Sequence, residues 1–177
     1  MTLSNASPAE SFADYRTRVL GYLGSRDPMR VLSATPGRVR RVLTGQPRGV
    51  LVKTPAPGKW SVAEIVAHLA DAELAFGWRL RSMLAAPGVP LQWWDEHLWS
   101  QRCAYSKVPI GRSLETFSAL RVSNLDLLRR MPAEEVDSAY GLHEKRGRQT
   151  VRDFVTMEAA HDLNHLRQIQ RLLRQVR

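Results

Sequence analysis

The run 154–169 confines this chain more than any other stretch: two histidines, His161 and His165, stand four residues apart on an otherwise apolar helix face. At about 100° per residue they lie roughly 40° apart on the helical wheel. Phe154, Val155, Met157, Leu166, Ile169, Leu172 and Leu173 share that arc, so both imidazoles are expected to point into a core. Adjacent buried imidazoles lose hydration and repel when charged, so they need a compensating partner. A divalent metal serves, because neutral imidazole nitrogens are good ligands and an i, i+4 pair can chelate one ion. A third ligand must then come from elsewhere in the chain. His68 is the candidate.

A length of 177 residues fits one domain, large enough to bury a core without disulfides or a structural metal. With 44% hydrophobic and 24% charged residues, the composition is that of a soluble globular protein. No apolar run approaches the roughly 20 residues of a membrane span, and the first residues lack the form of a signal peptide. The single cysteine, Cys103, excludes an intrachain disulfide and a cysteine-cluster metal site, and suits a reducing cytoplasm. The formal charge of +9 comes mostly from scattered arginines, densest at Arg38–Arg41, Lys145–Arg148 and from Arg167 to the end. These read as solvated helix surface, so nucleic acid is not an expected partner, while steering of an anionic small-molecule substrate stays open.

Capping and breaker residues divide the chain. Ser7-Pro8 opens a helix through about Leu23, and Asp27-Pro28 starts a second short stretch. Pro36 restarts a helix that carries Val39, Val42 and Leu43, and 47–59 is a loop. Ser61 and Glu64 form a capping box for a helix running to about Ala86, followed by a Trp-rich connection from Pro87 to Pro109. Ser113 caps a third long helix over 114–130. Residues 133–149 are turn-like with room for a short extended pair around Tyr140 and Gly147, and Thr150 with Asp153 begins the final helix. Sustained period-2 alternation is absent, so the fold is all-α: a four-helix bundle with long crossover connections, whose core is a usual place for a metal site.

His68 sits at the edge of its helix's apolar arc, a boundary suited to a site open to substrate. Three histidines from two helices leave coordination positions for water or substrate, as catalytic rather than structural sites do. Glu158, Asp162 and Asp71 are candidates to orient an imidazole, although Glu158 and, more so, Asp162 also suit pairing with a nearby arginine. Asp95 and Glu96, between Trp93, Trp94 and Trp99, are candidate proton acceptors over the metal. His97 and His143 read as non-ligands, and Cys103 lacks the neighbours of an activated thiolate.

The run from Gly58-Lys59-Trp60-Ser61 through His68-Leu69-Ala70-Asp71, combined with His161-Asp162-Leu163-Asn164-His165 and Gln168-Ile169, resembles the DinB-like superfamily of metalloproteins. Ser33–Pro36 and the Trp93–Trp99 segment extend the similarity over nearly the whole chain. The resemblance implies a bundle of up-down-down-up topology, often a homodimer, with nickel, zinc or a similar ion on the residues matching His68, His161 and His165. Characterised relatives of that family include thiol S-transferases using bacillithiol or mycothiol and a mycothiol-dependent isomerase. The resemblance therefore implies a metal-dependent thiol S-transferase, with a low-molecular-weight thiol as cofactor, or a related hydrolase. The alternative is a non-enzymatic metal-binding stress-response protein with a basic surface.

Overall fold

The computed structural model describes residues 11–144 and 146–175. Four long helices form the bundle: α2 (Pro28–Leu43), α4 (Val62–Ala85), α6 (Ile110–Arg130) and α8 (Val151–Gln175). Helix α1 (Phe12–Leu23) lies against α8. Local chemistry sets most of the ends. Asp27 accepts from the Arg30 amide, Ser61 and Glu64 form the reciprocal capping box, and Thr150 and Asp153 exchange the same pair of bonds ahead of α8. The expected Ser7-Pro8 start lies outside the described residues; Ser11 caps α1.

Three expectations are corrected. Helix α2 runs unbroken through Pro36. A proline inside a helix cannot donate to the carbonyl four residues earlier, which here belongs to Leu32. Arg121 on α6 donates to that oxygen at 2.8 Å, so tertiary structure supplies the missing bond. Within the expected loop 47–59, Arg48–Val52 forms a short helix, α3, that buries Leu51. Helix α6 begins at Ile110, and Ser113 is a buried residue of its first turn rather than its cap.

The connection 86–109 holds a strand, β1 (Val89–Leu91), a helix, α5 (Glu96–Arg102), and a single 3₁₀ turn at Tyr105–Lys107. After α6 and the short α7 (Glu135–Ser138), β2 (Tyr140–His143) pairs parallel with β1 and antiparallel with β3 (Gly147–Thr150). This small sheet includes the anticipated extended pair. Leu91 packs directly on Gly141, where an added Cβ would come within 2.5 Å of the leucine Cγ.

The core divides into two apolar clusters separated by a polar layer. One holds Val19, Leu32, Phe76, Leu80, Leu125 and Phe154. The other holds Val39, Ile65, Leu69, Phe117, Leu166 and Ile169. Glu73 on α4, Arg121 on α6 and Asp162 on α8 lie between them, each at most 1% exposed. The Arg121 guanidinium bonds Glu73 through Nε at 2.7 Å and forks onto Asp162 at 2.6 and 3.1 Å. Asn124 donates to the other Glu73 oxygen at 2.8 Å, and α4 comes so close there that a Cβ on Gly77 would meet the Asn124 amide at 2.5 Å. Burial works against the arginine's charge, but Asp162 and Glu73 outweigh it and raise its pKa. Removing one partner of such a network leaves buried charge uncompensated. Arg121→Met is therefore expected to lower unfolding free energy by about 3–5 kcal/mol, read from urea denaturation. Arg121→Lys should recover little of it, because one ammonium cannot serve two carboxylates and the Leu32 carbonyl in the same geometry.

Candidate metal centre

One turn from this polar layer, α8 points His161 and His165 toward α4, and α4 points His68 back. The His161 Nε2 lies 3.0 Å from the Nε2 of His68 and 3.0 Å from that of His165. His68 and His165 are each 1% exposed. The sequence pattern put His68 at an edge; the crossover buries it. Trp60 packs 4.8 Å from its ring and Trp94 stacks on it at 5.8 Å.

The donor set fits a cation. The His165 Nδ1 donates to Gln168 Oε1 at 3.0 Å, so its Nε2 carries a lone pair toward the other two histidines. A neutral imidazole has one N–H, and one proton on His161 Nε2 can bridge only one of its two 3.0 Å contacts. Burial, followed by the neighbouring histidines, holds His68 and His165 well below the usual imidazole range. Burial, then Arg121 and Arg146, lowers His161 to about 4. Protonation is therefore a poor remedy, whereas a divalent ion accepts all three lone pairs.

His68 and His161 line a cavity of about 640 Å³, with Trp93, Trp94 and Glu96 also on its walls, and His165 lies behind them. The expected carboxylates separate into distinct roles. Glu96 Oε2 lies 3.8 Å from His68 Nε2, inside the cavity. Asp95 also lines it, but its carboxylate caps α5 by accepting from the Leu98 amide at 2.9 Å. Glu158 Oε1 stands 3.9 Å from His161 Nδ1 and 3.9 Å from Arg121 Nη2, buried and without a hydrogen bond. Burial, then Glu73 and Asp162, raises its pKa well above the usual carboxyl range.

Asp162 and Asp71 are bonded to other side chains, although an Asp162 oxygen lies within 4.8 Å of a His161 ring nitrogen. Asp162 is committed to Arg121, and Asp71 accepts from the Tyr105 hydroxyl at 2.6 Å, fixing the 3₁₀ turn to α4. His97 and His143, expected not to be ligands, line the cavity outside the three-nitrogen cluster. Sequence reasoning missed Arg79 and Arg146, whose guanidinium groups also face this space. Burial lowers both, Arg79 to about 10, which leaves them charged near neutrality. It also missed Arg121 and Glu73, although each interrupts an apolar helical stripe at the same height in the bundle, a readable signal.

The chain is 27% identical over 122 residues, 68% of each chain, to a protein of Oceanobacillus iheyensis named "putative metal-dependent hydrolase". It is 21% identical over 145 residues, 82% of this chain and 84% of the other, to a protein of the same name in Halalkalibacterium halodurans. Its fold matches that of YfiT from Bacillus subtilis with a TM-score of 0.78 and 20% identity, covering 97% of this chain and 93% of that one. That structure is described as a probable metal-dependent hydrolase with an unusual four-helix bundle topology. The model of the DinB superfamily matches residues 32–169. The chain belongs to the DinB superfamily.

Proposed function

We infer that the protein is a metal-dependent enzyme that activates a small nucleophile, a low-molecular-weight thiol or water, for attack on an anionic electrophile. The observation that carries this is the convergence of three imidazole nitrogens, two of them from residues that line a cavity, with Glu96 and Glu158 each within 4 Å of a histidine nitrogen. His68, His161 and His165 would hold the ion. When bound, a divalent ion there supplies Lewis acidity that lowers the pKa of a thiol or water.

The chain's own groups divide the remaining work. Glu96 stands beside His68 at the cavity face, placed to take the proton that the nucleophile loses. Glu158, kept protonated by its burial, can give a proton to negative charge that develops on the electrophile. Arg79 and Arg146 make the cavity electropositive and would hold an anionic group of the substrate. Trp93 and Trp94 exclude water from one side. The names of the relatives favour water as nucleophile; the wide cavity also admits a thiol.

Three measurements test the reading. Metal analysis of untagged protein is expected to give one divalent ion per chain. His161→Ala or His165→Ala should weaken binding by at least about 100-fold, beyond the range for losing an outer partner of a ligand. The far-UV circular dichroism should persist in both, because the apolar clusters do not need the ion; unfolding on metal removal would instead make the ion structural. Second, Glu158→Gln should leave metal content unchanged and lower kcat by about 10²–10⁴-fold, with thiol-induced spectral change of the cobalt form telling thiol from water as the nucleophile. Third, pH acts on the metal-free chain through the histidines. Their folded pKa values lie below the unfolded one, so the unfolded state binds protons first and stability is lost as the pH is lowered. Through His161 alone, thermal or urea unfolding should show a loss of about 3 kcal/mol between about pH 6.5 and 4.

A further inference from the structure

On the far side of α8 from the histidine cavity, sharing no lining residue with it, lies an open basin of about 1190 Å³ between α1, α2 and α8. Seven arginines line it: Arg18 and Arg26 from α1 and the turn after it, Arg38 and Arg41 from α2, and Arg167, Arg171 and Arg174 from α8. Among the described residues no carboxylate lines it. Among the described residues none of Arg38, Arg41, Arg171 and Arg174 has an ion-pair partner, and all four are exposed. Arg26 is committed to the carbonyls of Tyr22 and Leu23.

A second observation points to a ligand. Asn164, 5% exposed, sits on the basin wall. Its Oδ1 accepts from Arg18 at 3.0 Å, which leaves its buried amide nitrogen, a donor, without a partner. Converging guanidinium groups repel one another, and only water and salt screen them until an anion arrives. A single phosphate can engage two or three forks; this basin offers more from three directions.

We propose that the basin binds a compact anion carrying several phosphate groups, such as a short inorganic polyphosphate or a nucleoside triphosphate. Single-stranded nucleic acid fits less well because it needs aromatic stacking faces. Among the described residues Tyr22 is the only aromatic one lining the basin, and its ring is covered by Arg167 at 4.4 Å and Arg18 at 5.7 Å. None of the large exposed hydrophobic residues lies there to anchor a lipid surface. The site does not depend on the reading of the histidine cluster.

Calorimetric titration of the full chain with sodium tripolyphosphate, ATP and a short single-stranded oligonucleotide tests it. Tripolyphosphate should saturate at one per chain and weaken as salt rises. ATP should match it within a few-fold, since no free ring face awaits the base; much tighter ATP binding would assign the site to nucleotides. The Arg38→Gln/Arg171→Gln pair should weaken tripolyphosphate at least about tenfold, the loss expected for two charge-assisted contacts. The Arg112→Gln/Arg130→Gln pair removes the same charge from α6, outside the basin, and should change it less than about twofold. Far-UV dichroism checks both folds, and Arg41→Gln/Arg174→Gln replaces the first pair should it fail to fold. Equal weakening by both pairs, no saturable tripolyphosphate binding, or tighter binding of the oligonucleotide would overturn the proposal.

Discussion

One buried guanidinium organises the bundle. Arg121 is 1% exposed at the height where two apolar clusters meet, and it ties α6 to α4 through Glu73, to α8 through Asp162 and to α2 through the Leu32 carbonyl. A buried ion of this kind is weak evidence for stability, because desolvation offsets much of the attraction. Its geometric effect is stronger. A planar fork that must meet two carboxylates and one carbonyl fixes the rotation and height of all four bundle helices together. It also explains how α2 continues past Pro36, since the carbonyl freed by the proline is the one Arg121 takes.

That constraint reaches the candidate site through α8. Asp162, held by Arg121, is the residue next to His161, and Glu158 lies one turn before it, 3.9 Å from the same guanidinium. Fixing Asp162 sets the rotation of α8, and with it the directions of His161 and His165. On α4, Glu73 lies five residues after His68 on the same helix, so the same bond orients the opposing wall. Two carboxylates already share the single arginine, so a third nearby cannot also be ionised cheaply. The raised pKa of Glu158 follows from this crowding and from burial, and it gives the cavity an acid at a pH where carboxyl groups are ordinarily charged.

Much of this was legible in the residues. The i, i+4 histidine pair, the Ser61 capping box and the Thr150–Asp153 start of α8 depend on interactions within a few residues, which sequence displays directly. What escaped depends on distant partners. The restart expected at Pro36 ignored a donor 85 residues away in the chain, and His68 looked peripheral because Trp60 and Trp94, not its own helix, bury it. Asp95 and Glu96 looked equivalent as neighbours in a loop. They are not: Asp95, just ahead of the helix, spends its carboxylate on the Leu98 amide, while Glu96 Oε2 stands 3.8 Å from His68 Nε2.

The charge of the chain shows the same limit from another direction. As a sum, an excess of arginine says only that the surface is basic. Placed on the fold, it separates into Arg121, which is structural, Arg79 and Arg146, which face the cavity, and the group on α1, α2 and α8, which faces solvent without lining carboxylates. Helix α8 joins the last two settings. Its inner face carries His161 and His165, and its outer face carries Arg167, Arg171 and Arg174 at the spacing of one helical stripe. Gln168 belongs to both, lining the basin while its Oε1 accepts from His165 Nδ1. A group that draws the Gln168 side chain toward the basin would compete directly with that bond. The tautomer and orientation of His165 depend on it, as they do for any histidine whose second nitrogen is held by a partner. The two sites are therefore separated by the thickness of one helix and share one hydrogen bond across it.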